Sequence, residues 1–396
     1  MDSFIKDPLV YFSNTPHIFD IILSHLSVQD MLSLCSINSF YYKSTTESLS
    51  FLKRVKLKVT NSLLEVDFDI IEKSDRKYRN IELNLNHRFY QKIFIVVSKY
   101  CEIRCLELKN CLLTTGEFKI ILDTLKHLEE LKLDDLIFEA INLNEIDDLA
   151  EFKKLKSLQV KAIPVILIHP LLVKCSKLKT LSVMQLSRKA PVDEALNLLS
   201  KDTSFVLEQF EISDFGYYNF DQNKFGLLSF LQKSFDTLKI LEFDVWIGLT
   251  ALKLVFQMPH LEKLRLYELS HADKEIDWKN VSLPRNNRIK YLILQDTSCN
   301  KNISTTLFKS VPNVLAIETY ALCYEDLQEI SKNCSELTEI NTYFLDINET
   351  HSTMFRENLF KNLKKCNVAA NEDLKQQILK RNEHELSHFE KLLLVN

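Results

Sequence analysis

The sequence predicts an α/β solenoid, parallel strands on its concave side and helices on its convex side, preceded by a small three-helix module. Three observations predict it: a short apolar triplet that recurs along most of the chain, stretches of helical apolar spacing between the triplets, and an N-terminal segment that shares neither pattern.

The triplet is an apolar residue, two variable ones, a second apolar, one variable and a third apolar. It is clearest as Ile103/Leu106/Leu108, Leu128/Leu131/Leu133, Leu155/Leu158/Val160, Leu178/Leu181/Val183, Leu207/Phe210/Ile212, Leu238/Leu241/Phe243, Leu261/Leu264/Leu266 and Ile289/Leu292/Leu294. Weaker copies flank these: Leu52/Val55/Leu57 and Tyr78/Ile81/Leu83 before, Val314/Ile317/Thr319 and Leu337/Ile340/Thr342 after. Starts at 52, 78, 103, 128, 155, 178, 207, 238, 261, 289, 314 and 337 differ by 23 to 31 residues, giving about twelve units. The last two apolar positions alternate with variable ones, as on a short strand that buries one face. Between them, Gln91–Lys99, Glu117–Lys126, Asp193–Ser200, Leu249–Gln257 and Asp326–Lys332 carry apolar residues at helical spacing.

Composition agrees with a folded array. A chain of 396 residues, 46% hydrophobic and 26% charged, is too long for one ordinary core and too apolar for long disordered tails. Its four glycines, at 116, 216, 226 and 248, are never closer than ten residues apart, which excludes phosphate-cradling loops, dinucleotide-binding turns and nucleophile elbows. A net charge of −4 gives no whole-protein attraction to nucleic acid or an anionic membrane. Neither a signal peptide nor a membrane span is read in the sequence, and nine cysteines, an odd number, fit reduced thiols, so the expected location is cytoplasmic and/or nuclear.

Register and period together resemble those of leucine-rich-repeat proteins over about three quarters of the chain. The position three residues after the third leucine, usually Asn or Cys in that family, keeps that identity at Asn86 and Cys111 and is Leu136, Ile163, Leu186, Phe215, Trp246 or Leu269 elsewhere. Backbone bonding along that edge is therefore expected to be irregular. Cys175 and Cys334 sit just ahead of strands, as in the cysteine-containing subfamily.

Residues 9–50 read as three short helices. Thr15 and Pro16 form a favoured helix start, followed by Ile18, Ile22 and Leu26 on one face. Ser27-Val28-Gln29-Asp30 resembles a capping box and precedes Met31, Leu34 and Ile37. With Asp30-Met31-Leu32 and an aromatic at Tyr41, the order resembles an F-box. That resemblance implies docking to the adaptor of a cullin–RING ubiquitin ligase through Pro16, Ile18, Ile22, Leu26, Met31, Leu34, Ile37 and Tyr41. An F-box followed by leucine-rich repeats resembles the substrate receptors of such ligases, which are not enzymes. The competing reading is a helical cap on a repeat scaffold with no ligase role.

Other constellations are read as structural. His384-Glu385-Leu386-Ser387-His388 matches a zinc-protease spacing on a terminal helix from Asn371 to Leu394, but too little chain follows for a third ligand. Cys101, Cys105 and Cys111 are read as core thiols, and the run Lys53, Arg54, Lys56 and Lys58 as a solvated face. No cofactor or metal is expected.

The residues between the buried leucines should form the concave surface. In its later half Glu211, Glu242 and Asp244 lie beside Tyr267, Tyr291, Tyr320 and Tyr343, and this acidic and aromatic region is the expected site for a protein substrate with a basic segment. The expected organisation is a helical module over 9–50, a solenoid over 51–368 and a capping helix over 369–396.

Overall fold

The computed structural model describes residues 16–60, 62, 65–85, 90–100, 102–139, 141–184, 196–197, 200, 204–213, 225–244, 247–267, 276–295, 301–346, 360 and 362–370. Two compact units divide between Leu178 and Lys179.

The first unit opens with helices α1 (Pro16–His25), α2 (Val28–Cys35), α3 (Ser39–Thr46) and α4 (Leu49–Arg54), one more than expected. Their starts are written in the sequence. The Ser27 hydroxyl accepts from the Asp30 amide at 3.1 Å and the Asp30 carboxylate accepts from the Ser27 amide at 3.3 Å, the reciprocal capping box. Asn38 caps α3 and Ser48 caps α4 by a single bond each, accepting from the amides of Tyr41 and Phe51 at 2.9 and 3.1 Å. Phe19, Leu23, Met31, Cys35, Tyr41, Phe51 and Val55 form one core. The Ser50 amide donates to the Asp20 carboxylate at 2.7 Å and the Arg54 guanidinium to the carbonyls of Leu23 and Ser24, so α4 is tied to α1.

A parallel sheet follows, in the order β1 (Lys56–Thr60), β2 (Asn80–Asn84), β3 (Cys105–Lys109), β5 (Glu130–Asp134) and β7 (Ser157–Lys161). Between β3 and β5 in sequence comes β4 (Leu112–Leu113), which pairs with β6 (Ile137–Phe138) in a separate two-stranded sheet. Ile81, Leu106, Leu131 and Leu158 align across the main sheet, all fully buried. A residue slip in any strand would turn that whole set to solvent.

The second unit carries β8 (Thr180–Met184), β9 (Gln209–Ser213), β10 (Ile240–Phe243), β11 (Lys263–Leu266), β12 (Tyr291–Leu294), β13 (Ala316–Cys323), β14 (Glu339–Asp346) and β15 (Lys365–Ala370), each parallel to the next. Leu181, Phe210, Leu241, Leu264, Leu292, Ile317, Ile340 and Cys366 form its buried row. Helices Phe225–Lys233, Leu249–Val255, Lys301–Ser310 and Tyr324–Asn333 follow strands in this unit, as Glu65–Lys73, Tyr90–Lys99, Thr115–Thr124 and Val165–Val173 do in the first.

Three expectations change. The first repeat is shifted: Leu57 and Val59 pair with Ile81 and Leu83, whereas Leu52 lies in α4 and Val55 in the core of the helical module. An apolar residue at i, i+3 and i+5 satisfies both a helix and a strand where one runs into the other. A further strand, β15, continues through Ala370, with Leu363 and Cys366 buried; cysteine in the leucine slot hid it. The edge after β3, β5 and β7 is regular, whereas β13 and β14 run on as strand past the same position, so the irregularity expected there is kept. Asn110, Asp135 and Ala162 all take left-handed backbone, at φ of 51°, 53° and 52°, and turn Cys111, Leu136 and Ile163 into the interior. The amides of Asn110 and Asp135 each donate to the next unit's carbonyl at 2.9 Å, so main chain does the bonding that an asparagine ladder would have done.

The threonines in the third slot of β13 and β14 are buried at 4% exposure, and each hydroxyl reaches a strand carbonyl, Ala321 from Thr319 and Tyr320 from Thr342. Thr15, Cys101, Asn86, Leu186, Phe215, Trp246, Leu269, most of Asp193–Ser200, the His384–His388 motif and the helix expected from Asn371 lie outside the described residues.

Candidate protein-recognition surfaces

Two surfaces emerge, one in each unit. In the helical module α1 begins at Pro16. The residues read as adaptor contacts then divide. Ile18 and Ile37 are exposed, at 40% and 60%. Ile22, Leu26 and Leu34 are half-buried. Met31 and Tyr41 are buried in the core, where they hold the helices together rather than presenting a surface. Sequence reasoning overlooked Ile21, Val28, Phe40 and Leu49, which are exposed. On α1 both Ile18/Ile22 and Phe19/Leu23 have helical spacing, and only packing decides that the second pair goes inside.

Immediately beyond the module, Arg76 lies over the Tyr42 ring at 5.2 Å and the Phe51 ring at 6.0 Å, and donates to the Tyr78 hydroxyl at 3.2 Å. It clamps the helices to the first repeats. Burial pushes the neighbouring Tyr100 phenol up to about 12, with Tyr78 and Tyr42 adding to the shift.

The exposed face of the first unit's sheet is a lattice of ion pairs. Lys56 meets Glu107 at 2.7 Å and Glu82 at 3.2 Å, Lys109 meets Glu107 at 2.7 Å, and Lys58 and Lys109 each approach Glu82 at 3.6 Å. Lys53, Arg54 and Lys58 of the basic run are exposed, as expected of a solvated face, while Lys56 is drawn into the lattice and Arg54 also bonds the α1 carbonyls. Cys111 donates its thiol to the Lys109 carbonyl at 3.1 Å, and burial pushes it up to about 11; burial pushes Cys105 to about 12, with the Glu130 charge adding. Neither is a poised nucleophile.

In the second unit the acidic set is brought together but is not free. Glu242 is held by Lys263 at 2.6 Å and Arg265 at 3.4 Å, Asp244 by Arg265 at 3.6 Å, and Glu211 accepts from the Ser182 hydroxyl at 2.9 Å. The expectation of an open acidic patch is corrected on this point. Arg265 is one strand from Glu242 in the same row, a neighbour that the strand register places beside the carboxylate. Burial raises the Glu211 carboxyl above its ordinary value, against the Ser182 bond, and the Glu242 and Asp244 charges push the same way; Asp244 is raised by burial although Arg265 opposes it.

The tyrosines behave as expected of an exposed surface. Tyr291, Tyr320 and Tyr343 are 50%, 56% and 53% exposed, while Tyr267 is half-buried. Tyr320 and Tyr343 stack face to face, centroids 5.3 Å apart and planes 9° from parallel. With Tyr267, Gln295, Glu318 and Asn341 they line an open cavity of about 950 Å³; Tyr291 lies in an outer row and does not reach it. Asn367, on the overlooked β15, also lines it and donates to the Asn341 carboxamide oxygen at 2.6 Å.

No protein-family profile matches this chain, and no curated protein matches it. Solved structures do resemble it. The complex of Rad7 and Elc1 in yeast aligns over 92% of this chain and 88% of that one at 15% identity, with a TM-score of 0.41. Human 5T4, also called Wnt-activated inhibitory factor 1 or trophoblast glycoprotein, aligns over 72% and 88% at 16% identity and 0.30. A leucine-rich-repeat protein of Leptospira interrogans aligns over 88% and 92% at 13% identity and 0.32. The buried triplets, parallel ladders and strand-to-helix order define this chain's own fold as a leucine-rich-repeat architecture.

Proposed function

We propose that the chain is the non-catalytic substrate-recognition subunit of a cullin–RING ubiquitin ligase, acting in the cytoplasm, the nucleus or both. Its helical module docks the adaptor, and the exposed sheet face of the second unit binds a protein substrate. The observation that supports the docking role best is the module's surplus of apolar surface. Its interior is complete, yet Ile18, Ile21, Val28, Ile37, Phe40 and Leu49 remain exposed. A module that served only to fold would gain nothing from exposing them. The resemblance of this segment to an F-box supports an adaptor as the partner.

Purification of the tagged full chain from cells, followed by identification of adaptor and cullin subunits, tests the proposal. Both should co-purify, and Ile37→Asp should lose both. Recovery of neither with the intact chain would leave a leucine-rich-repeat interaction scaffold with no ligase role.

A further inference from the structure

In the middle row of the second unit's exposed face, Glu211 and Glu242 both have partners, as described. Glu318 does not. It is exposed, and among the described residues no donor or cation engages it. Its lateral neighbours are Ile293 and Asn341, and Asn341 is itself occupied, donating to Glu339 at 3.0 Å and accepting from Asn367. Glu242 and Asp244 on this face are already matched by Lys263 and Arg265, so Glu318 is the exposed carboxylate there that a cation of a binding partner can complement.

Two residues along the same strand, and so on the same face about 7 Å away, stands Tyr320. Its ring is stacked on Tyr343, both residues line the cavity, and both stay more than half exposed. We infer that Glu318 and the Tyr320–Tyr343 stack form a site for the cationic side chain of an arginine or lysine in an extended segment of the protein substrate. The carboxylate accepts from the guanidinium or ammonium, and a tyrosine face carries its stem and part of its charge. Side chains alternate along an extended segment, so the residue two places away falls over half-buried Ile293 and is apolar. This inference rests on the reading of this face as the substrate surface and moves its charge-recognising centre from Glu242 and Asp244 to Glu318.

The test is a positional-scanning library of capped decapeptides titrated against the full chain. The intact protein should select arginine or lysine at one position with an apolar residue two places away. Glu318→Gln should lower that cationic preference about tenfold, the scale of one charge-assisted hydrogen bond, while keeping the apolar preference. Glu318→Arg should turn the preference to aspartate or glutamate, and Glu242→Gln should leave it in place. Tyr320→Ala should weaken all selected peptides, with an unchanged circular dichroism spectrum confirming the fold. Selection of peptides without a cationic preference, or with one that survives Glu318→Gln, would overturn the site and leave the substrate surface standing. Selection of no peptide by the intact chain would overturn both.

Discussion

Lys56 and Glu107 sit on strands that are not neighbours, yet the Lys56 Nζ and Glu107 Oε2 atoms stand 2.7 Å apart across β2. Burial alone would raise the Glu107 carboxyl, and hydrogen bonds from Lys109 and Lys56 outweigh it, leaving it below its ordinary value. Glu82 behaves alike: burial raises it and the Lys56 bond, with nearby lysine charge, brings it below. Lowered carboxylates stabilise the fold above their unfolded value near pH 4.3, and that contribution is lost as pH falls through the folded value.

Lys56→Met therefore moves the acid-unfolding midpoint to higher pH and costs about 1–2 kcal/mol at neutral pH, between the values of exposed and buried pairs. Urea titrations monitored by circular dichroism across pH check it. An unmoved acid midpoint would show that the lattice does not stabilise the unit.

Glu211 gives the opposite sign. Its carboxyl is raised by burial and by the charges of Glu242 and Asp244, so the ionised form is penalised in the fold. That penalty is full above the folded value and is relieved as pH falls towards the unfolded one. Glu211→Gln, which keeps an acceptor for Ser182, raises the melting temperature at pH 7 by an amount that shrinks as pH is lowered; a gain independent of pH would contradict this origin.

Ala162 has φ of 52°, a conformation in which its Cβ crowds the following carbonyl. Ala162→Gly relieves that contact and stabilises the first unit by about 0.5–1 kcal/mol, after the entropy that glycine adds to the unfolded chain. Equilibrium unfolding of the two proteins under identical conditions decides it.

In the helical module the proposed docking face and the core are carried by different residues. Ile37 is 60% exposed and Met31 fully buried. Ile37→Asp should abolish adaptor capture with the helical signal and melting temperature kept, whereas Met31→Ala should cost about 2–4 kcal/mol through the cavity it leaves. Adaptor capture by folded Ile37→Asp would remove this face from the docking surface.

From β2 to β14 the main-sheet register and the buried row were legible from spacing, because burying one face of a strand admits only one register and apolar residues at alternate positions declare it; β15, with cysteine in that row, was not. The exposed rows were legible for the same reason, and Tyr291, Tyr320 and Tyr343 stand out from the sheet as read. Where two elements meet, spacing was ambiguous, and Leu52 and Val55 went to a helix and its core. Partnership was beyond it. Lys56 finds Glu107 fifty-one residues away, and Arg265 neutralises Glu242 and Asp244, because side chains bend across strands toward whichever charge lowers the electrostatic energy. Likewise α1 carries two apolar faces, and only the packing of α1 on α2 and α4 turned Phe19 and Leu23 inward and left Ile18 and Ile21 exposed. Periodicity states that a residue will be buried; which charges pair and which apolar face is left over are set by distances that exist only once the elements have packed.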